Sequence, residues 1–215
     1  MFEGFTPETV DFLWGIRMNN NREWFMANKP TYVKKLYEPM KALGWELFQP
    51  FLDSPGEIYK VSRIYRDARM HHPVPYKESL WICIRQDVEW WAENPCLFFE
   101  INPEGIDYGF FIWKPKPAMM KAFRQSIAAN PEEFLSIVAA AESATGMTIT
   151  AEHYKHPEKC DIPDLERFFA WKQKIDCTIH EDFSEDTFGP ELAQRVSDFF
   201  QKLRPVYEYL NRFKV

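Results

Sequence analysis

Much of what would announce an activity is missing from this sequence. The four cysteines, Cys83, Cys96, Cys160 and Cys177, include no Cys-x-x-Cys pair, so neither a structural zinc site nor a thioredoxin-like redox centre is signalled. They read as reduced, mostly buried thiols in a reducing compartment. No P-loop, Gly-x-Gly-x-x-Gly, Gly-x-Ser-x-Gly or His-Glu-x-x-His pattern occurs, which removes local support for nucleotide, dinucleotide, serine-nucleophile and zincin chemistry. Uninterrupted apolar runs reach only about five residues, where a membrane-spanning helix needs ~20. Met1 to Pro7 has neither the basic nor the apolar region of a signal peptide, so the cytoplasm is the expected location. There is no internal repeat, low-complexity tract or Gly/Ser linker. A formal charge of −6 argues against general binding of nucleic acid or anionic membranes.

What is present describes an ordinary globular chain. At 215 residues, 46% hydrophobic and 27% charged, it is long enough for one sizeable core, and a single domain over 1–215 is expected. Prolines punctuate it, often at helix starts. Thr6-Pro7-Glu8 is a hydroxyl cap, a first-turn proline and an acid facing the positive helix end, with Val10, Leu13 and Trp14 as the predicted inward face. Asn20 with Glu23 resembles a capping box for a short second helix. Tyr32, Leu36, Met40, Leu43 and Leu47 have helical spacing after Pro30, with a kink predicted at Pro39. Strands are predicted within 57–66, 79–86, 97–101 and 106–113, the last two joined by the turn Asn102-Pro103-Glu104-Gly105. Helices open at Pro117 and Pro131, a strand falls within 147–154, and a helix follows near Pro163. Lys174 to His180 alternates, with Ile175, Cys177 and Ile179 inward and Asp176, Thr178 and His180 outward. The last helix begins at Gly189-Pro190. The expected class is α+β: a largely antiparallel sheet flanked by helices, with helical N- and C-terminal segments.

One segment stands out chemically. Glu57 to Lys77 carries Lys60, Arg63, Arg66, Arg69 and Lys77 against Glu57 and Asp67, a local charge of +3 in an acidic chain. The planar fork of arginine matches phosphate or carboxylate, so this island is a candidate anion site. Along a regular strand Arg63 and Arg66 would point to opposite faces; they converge only if the chain bends, and Asp67 can cause a bend by bonding nearby backbone amides. Tyr76 and Lys77 return the chain to the next strand, and Asn20 and Arg22 could add amide and guanidinium contacts. Arg66 and Arg69 are expected to serve binding more than folding. His71-His72, and His153 and His156 with Cys160, lack matching ligand spacing, so no metal and no cofactor are expected. Glu181, Asp182, Glu185 and Asp186 lack the spacing and central glycine of a calcium loop.

Three stretches carry a family resemblance: Gly4-Phe5 through Asn19-Asn20-Asn21-Arg22-Glu23-Trp24-Phe25, then Ser62-Arg63-Ile64-Tyr65-Arg66-Asp67-Ala68-Arg69, then Pro75-Tyr76-Lys77. With Arg124, Asn130-Pro131-Glu132-Glu133-Phe134 and the closing Leu203-Arg204-Pro205, they resemble the mainly bacterial domain of unknown function 2461 over nearly the whole chain. The resemblance implies the fold and no activity. Where that family has Arg-Phe-Ser and then a lysine before Pro-Tyr-Lys, this chain has Arg69-Met70-His71-His72-Pro73-Val74. The leading expectation is a pocket for a small phosphate- or carboxylate-bearing metabolite around Arg63, Arg66, Arg69, Tyr76 and Lys77, with catalysis left open. The alternative is a non-enzymatic interaction domain whose hairpin docks an acidic protein or RNA partner. Convergence on a cleft separates the two, since a docking patch should lie flat.

Overall fold

The computed structural model describes residues 1–67, 69 and 73–214; Met70 and the His71–His72 pair lie outside the described residues. The chain opens with helices Pro7–Met18 (α1) and Arg22–Thr31 (α2), a π-helical turn Tyr32–Tyr37, and helix Glu38–Phe48 (α3). Strands Glu57–Val61 (β1), Leu80–Gln86 (β2), Cys96–Ile101 (β3) and Gly105–Ile112 (β4) follow. Then come helices Pro117–Ala129 (α4) and Pro131–Thr145 (α5), strand Thr150–His153 (β5), helix Glu166–Ala170 (α6), strand Trp171–Asp182 (β6), and helices Glu185–Phe188 (α7) and Glu191–Asn211 (α8). The six strands form one antiparallel sheet in the order β1-β2-β3-β4-β6-β5. The protein is therefore α+β, as its patterning predicts.

Several details differ from the sequence expectation, each for a local reason. In α1 the buried stripe is Thr9, Phe12, Leu13 and Ile16, the i, i+3, i+4, i+7 set of an amphipathic helix. Trp14 turns outward and stacks under the Arg17 guanidinium, 5.1 Å from the ring centroid. The cap of α2 is Asn21, whose side chain accepts from the Trp24 N–H, so Asn20 is left for another task. Pro30 and Pro39 do not separate two helices; the π-helical turn carries the chain from α2 into α3, and Tyr32, Leu36, Met40, Leu43 and Leu47 are all buried. Of 57–66 only the part to Val61 is strand. At the β3–β4 turn the Asn102 side-chain oxygen accepts from the N–H groups of Glu104 and Gly105. A Cβ on Gly105 would lie 2.2 Å from the Glu181 carbonyl oxygen, so that corner admits only glycine.

The chain forms two compact units. The first comprises Met1–Ile84, Phe98–Tyr108 and Ile179–Ser197. Its core gathers Leu13, Ile16, Phe25, Leu36, Met40, Leu43 and Leu47 from the N-terminal helices. The second comprises Arg85–Leu97, Gly109–Thr178 and Asp198–Val215. Phe134 lies at the centre of its ring cluster, with centroids 5.0 Å from Phe123, 4.9 Å from Phe168, 4.8 Å from Tyr209 and 6.5 Å from Trp171. In that unit β5 pairs with β6 across a register with two shifts; one of them falls where Lys174 adopts φ +50°, a bulge conformation.

The expectation of four reduced thiols is corrected: Cys83 and Cys96, both buried, are disulfide-bonded, while Cys160 and Cys177 are free. Among the described residues no helix is long and apolar enough to cross a membrane.

Candidate functional site

Beyond Val61 the chain leaves regular strand geometry but stays tied to β2. The Ser62 N–H donates to the Trp81 carbonyl at 2.8 Å, and the Trp81 N–H donates to the Ser62 hydroxyl at 3.0 Å. The chain bends at Ile64, whose side chain is fully buried. This bend, three residues before Asp67, lies between Arg63 and Arg66, and both line the same cleft. The outgoing and returning arms are then joined by Lys77 N–H to the Ile64 carbonyl, 2.7 Å, and Arg66 N–H to the Pro75 carbonyl, 2.9 Å. Asp67 has a turn role all the same: its Oδ1 accepts the Arg69 N–H at 3.0 Å.

Asn20 fastens this hairpin to the helical layer. Its Nδ2 donates to the Tyr76 carbonyl and its Oδ1 accepts the Tyr76 N–H, both at 3.0 Å, and Arg66 Nε donates to the same carbonyl at 2.6 Å. The Tyr76 ring is stacked on Phe25 at 4.3 Å and is buried; burial, with the nearby Tyr65, pushes its hydroxyl above the usual phenol range. Adjacent residues on extended backbone point opposite ways, so Tyr76 enters the core and Lys77 faces out. Asn20 and Tyr76 thus hold the site together and do not line it.

Two open clefts meet at this point. The first, about 510 Å³, is lined by Ser62, Arg63, Arg66, Asp67, Lys77 and Trp81. The Lys77 ammonium sits 5.7 Å from the centroid of the Trp81 ring. Arg69 is 88% exposed and forms a two-bond fork with Asp67, at 3.0 and 2.6 Å, so it is not among the lining groups. Arg22, the first residue of α2, is exposed and lines neither cleft. Among the described residues neither Arg63 nor Lys77 pairs with a carboxylate. Arg66 is only loosely approached by Glu78, at 3.9 Å.

The second cleft, about 460 Å³, shares Arg66 and Lys77 with the first and adds Arg17, Glu78, Ser79, Glu100 and Glu104. Arg17 is engaged there by Glu78 at 2.6 Å and by both oxygens of Glu104. Among the described residues Glu100 has no cation paired with it in this way. Burial pushes its carboxyl above the usual range and the charge of Asp107 pushes the same way, against a Ser79 hydrogen bond and Lys77. Burial likewise lowers the Lys77 ammonium, helped by the charges of Arg63 and Arg66. Beside Glu100, Asp107 accepts from Asn102 Nδ2 at 2.8 Å and contacts His180 Nδ1 at 2.9 Å, which raises the His180 pKa.

Of the predicted site residues, the structure therefore brings together Arg63, Arg66 and Lys77, gives Asn20 and Tyr76 supporting positions, and leaves Arg69 and Arg22 outside. Sequence reasoning missed Glu100 and Arg17. A signal for Glu100 was available: it is the one acid in the apolar run Cys96–Ile101, on the strand face opposite buried Leu97, Phe99 and Ile101. Such a group is desolvated by its neighbours and needs a reason to be there.

No curated protein matches the sequence. The family model described as conserved hypothetical protein (DUF2461) matches residues 8–209, nearly the whole chain, and the chain belongs to that family.

Proposed function

We propose that the protein binds a small anionic metabolite, through a phosphate or carboxylate, in the cleft of Arg63, Arg66 and Lys77. One observation carries this reading: three cations line one concave site, the Asp67 carboxylate beside them is engaged by Arg69, and among the described residues Arg63 and Lys77 have no carboxylate partner. Cations gathered without counter-charges repel one another, and an anion bridging them through charge-assisted hydrogen bonds relieves that repulsion. The concavity favours a small ligand over a flat docking patch for an acidic protein or RNA.

Calorimetric titration with inorganic phosphate, at low salt to limit screening, tests the proposal. Wild type should bind. Arg63→Ala should weaken binding by about tenfold or more, since a hydrogen bond to a charged group is worth ~1.5–3 kcal/mol, while folding stability stays within ~0.5 kcal/mol. Binding that is undiminished in Arg63→Ala, or a wild type that binds neither phosphate nor a simple carboxylate such as acetate, sinks the reading.

A further inference from the structure

We propose that Lys77 is an imine-forming amine, its Nζ condensing with the carbonyl of an aldehyde or ketone whose phosphate or carboxylate is held by Arg63 and Arg66, with Glu100 as the proton donor that expels water. This inference rests on the anion-binding reading above and names the substrate class and the reaction at that site. The geometry behind it is the sharing of two clefts: Lys77 and Arg66 line both, Arg63 lines only the first, and Glu100 and Ser79 line only the second. A substrate anchored by its anion in the first cleft extends past the Lys77 ammonium toward Glu100. Lys77 is free of carboxylate pairing among the described residues, lies over the Trp81 ring, and is flanked by two arginines. A desolvated lysine beside other cations is a recognised way of activating an amine.

The protonation states suit the step. Burial and the neighbouring arginines lower the Lys77 pKa, which raises the share of neutral amine. Burial and Asp107 raise the Glu100 pKa, which raises the share of protonated acid. In the reaction the nitrogen lone pair attacks the carbonyl carbon, and the C–N bond forms as the π pair moves to oxygen. The proton lost from nitrogen passes to that oxygen, giving a carbinolamine. Glu100 then protonates the hydroxyl, which leaves as water while the nitrogen lone pair closes the C=N bond. Amine, carbonyl compound and carboxylic acid become a protonated imine, water and a carboxylate; nothing is oxidised or reduced. The Ser79 hydroxyl, hydrogen-bonded to Glu100, steadies the carboxylate so formed.

The test uses the whole protein and three aldehydes: pyridoxal phosphate, glyoxylate as a carboxylate-bearing probe, and phosphate-free pyridoxal. Adducts are fixed with borohydride and located by peptide mapping, and inorganic phosphate binding is titrated on the same samples. Lys77 should be labelled ahead of every other lysine by one or both anionic aldehydes, and the preferred one tells phosphate from carboxylate. Pyridoxal should label it about tenfold more slowly, the equivalent of one charge-assisted contact, and inorganic phosphate should protect it. Lys77→Arg should lose the adduct, and Glu100→Gln should slow labelling by roughly a hundredfold. If wild type binds phosphate but Lys77 is labelled no faster than exposed lysines, the imine proposal is wrong and the anion site stands. If wild type neither binds phosphate nor labels selectively, both fall. The wild-type mapping decides without recourse to the variants.

Discussion

The two compact units both match arginines with carboxylates, and one hairpin of the first departs from that habit. In the second, Arg167 meets Glu142 through two parallel bonds of 2.9 Å, and the same carboxylate accepts the Ile149 N–H at 2.9 Å. Arg212 pairs with Glu133 at 2.6 Å and covers the Tyr209 ring. In the first, Arg17 is equally well matched, but Arg63 and Lys77 line a cleft with no carboxylate pairing them among the described residues. An arginine with a fitted carboxylate and a backbone contact on the same acid is fixing the chain's shape. Cations held close together without such partners are poised for something absent from the chain itself. On this view the second unit is scaffold and the hairpin of the first is a site.

The sharpest way to break that comparison is to damage the scaffold. Phe134→Ala removes the ring around which Phe123, Phe168, Trp171 and Tyr209 pack. It should cost ~3–5 kcal/mol in urea unfolding, the usual range for an aromatic truncated in a core. A loss below ~1 kcal/mol would mean the cluster can collapse onto the gap and is not the rigid element supposed here.

Next in size is the latch of the site. Asn20→Ala deletes both bonds to the Tyr76 backbone and strands a partly buried N–H. The expected cost is about 1–3 kcal/mol. Because Lys77 follows Tyr76 directly, phosphate affinity should fall as well, although Asn20 lines neither cleft. Lost stability with unchanged affinity would show that Lys77 is positioned without the latch.

A smaller effect of opposite sign is expected at Glu100. Its folded carboxyl pKa is raised above the unfolded value of about 4.3. Between those two values the native state holds a proton that the unfolded chain has lost, so stability falls as pH rises through that window. Glu100→Gln does not titrate. The variant should be the more stable protein at neutral pH, and its advantage should vanish well below the unfolded pKa. Equal stabilities at neutral and acid pH would place Glu100 in ordinary solvent and remove it from the proposed chemistry.

How much of this the sequence revealed depended on the range of the interaction. Strand alternation in β6 and the Asn102–Gly105 turn are local, and both were legible: Ile175 and Cys177 are buried, Ile179 is half-buried, His180 is exposed, and the turn closes through Asn102. The convergence of Arg63, Arg66 and Lys77 was legible only as a charge island. It goes with a bend at Ile64, where no turn residue marks the chain and the side chain is fully buried. Asn20 read as a cap because Glu23 stands three residues on, but the cap is its neighbour Asn21. The true partner of Asn20, Tyr76, lies 56 residues away, and no local rule reaches that far. Arg66 and Arg69 looked alike in sequence. In the fold one donates to a backbone carbonyl and lines both clefts, and the other points into solvent.

That last contrast yields the smallest expected effect and the finest test of the comparison. Arg69 is 88% exposed, and an exposed ion pair typically contributes about 0–1 kcal/mol, so Arg69→Ala should leave unfolding free energy within ~0.5 kcal/mol of wild type. Its effect on phosphate should be indirect. Asp67 lines the first cleft, and removing Arg69 uncovers that carboxylate toward the incoming anion. Two unit charges a few ångströms apart in water repel by only ~1 kcal/mol, so affinity should drop by less than about tenfold. Adding Asp67→Asn should restore it, because the repelling charge goes while the side-chain oxygen that accepts the Arg69-position N–H remains. If Arg69 were itself a ligand group, the double variant would stay as weak as Arg63→Ala, and the cleft would have to be redrawn to include the Asp67–Arg69 fork.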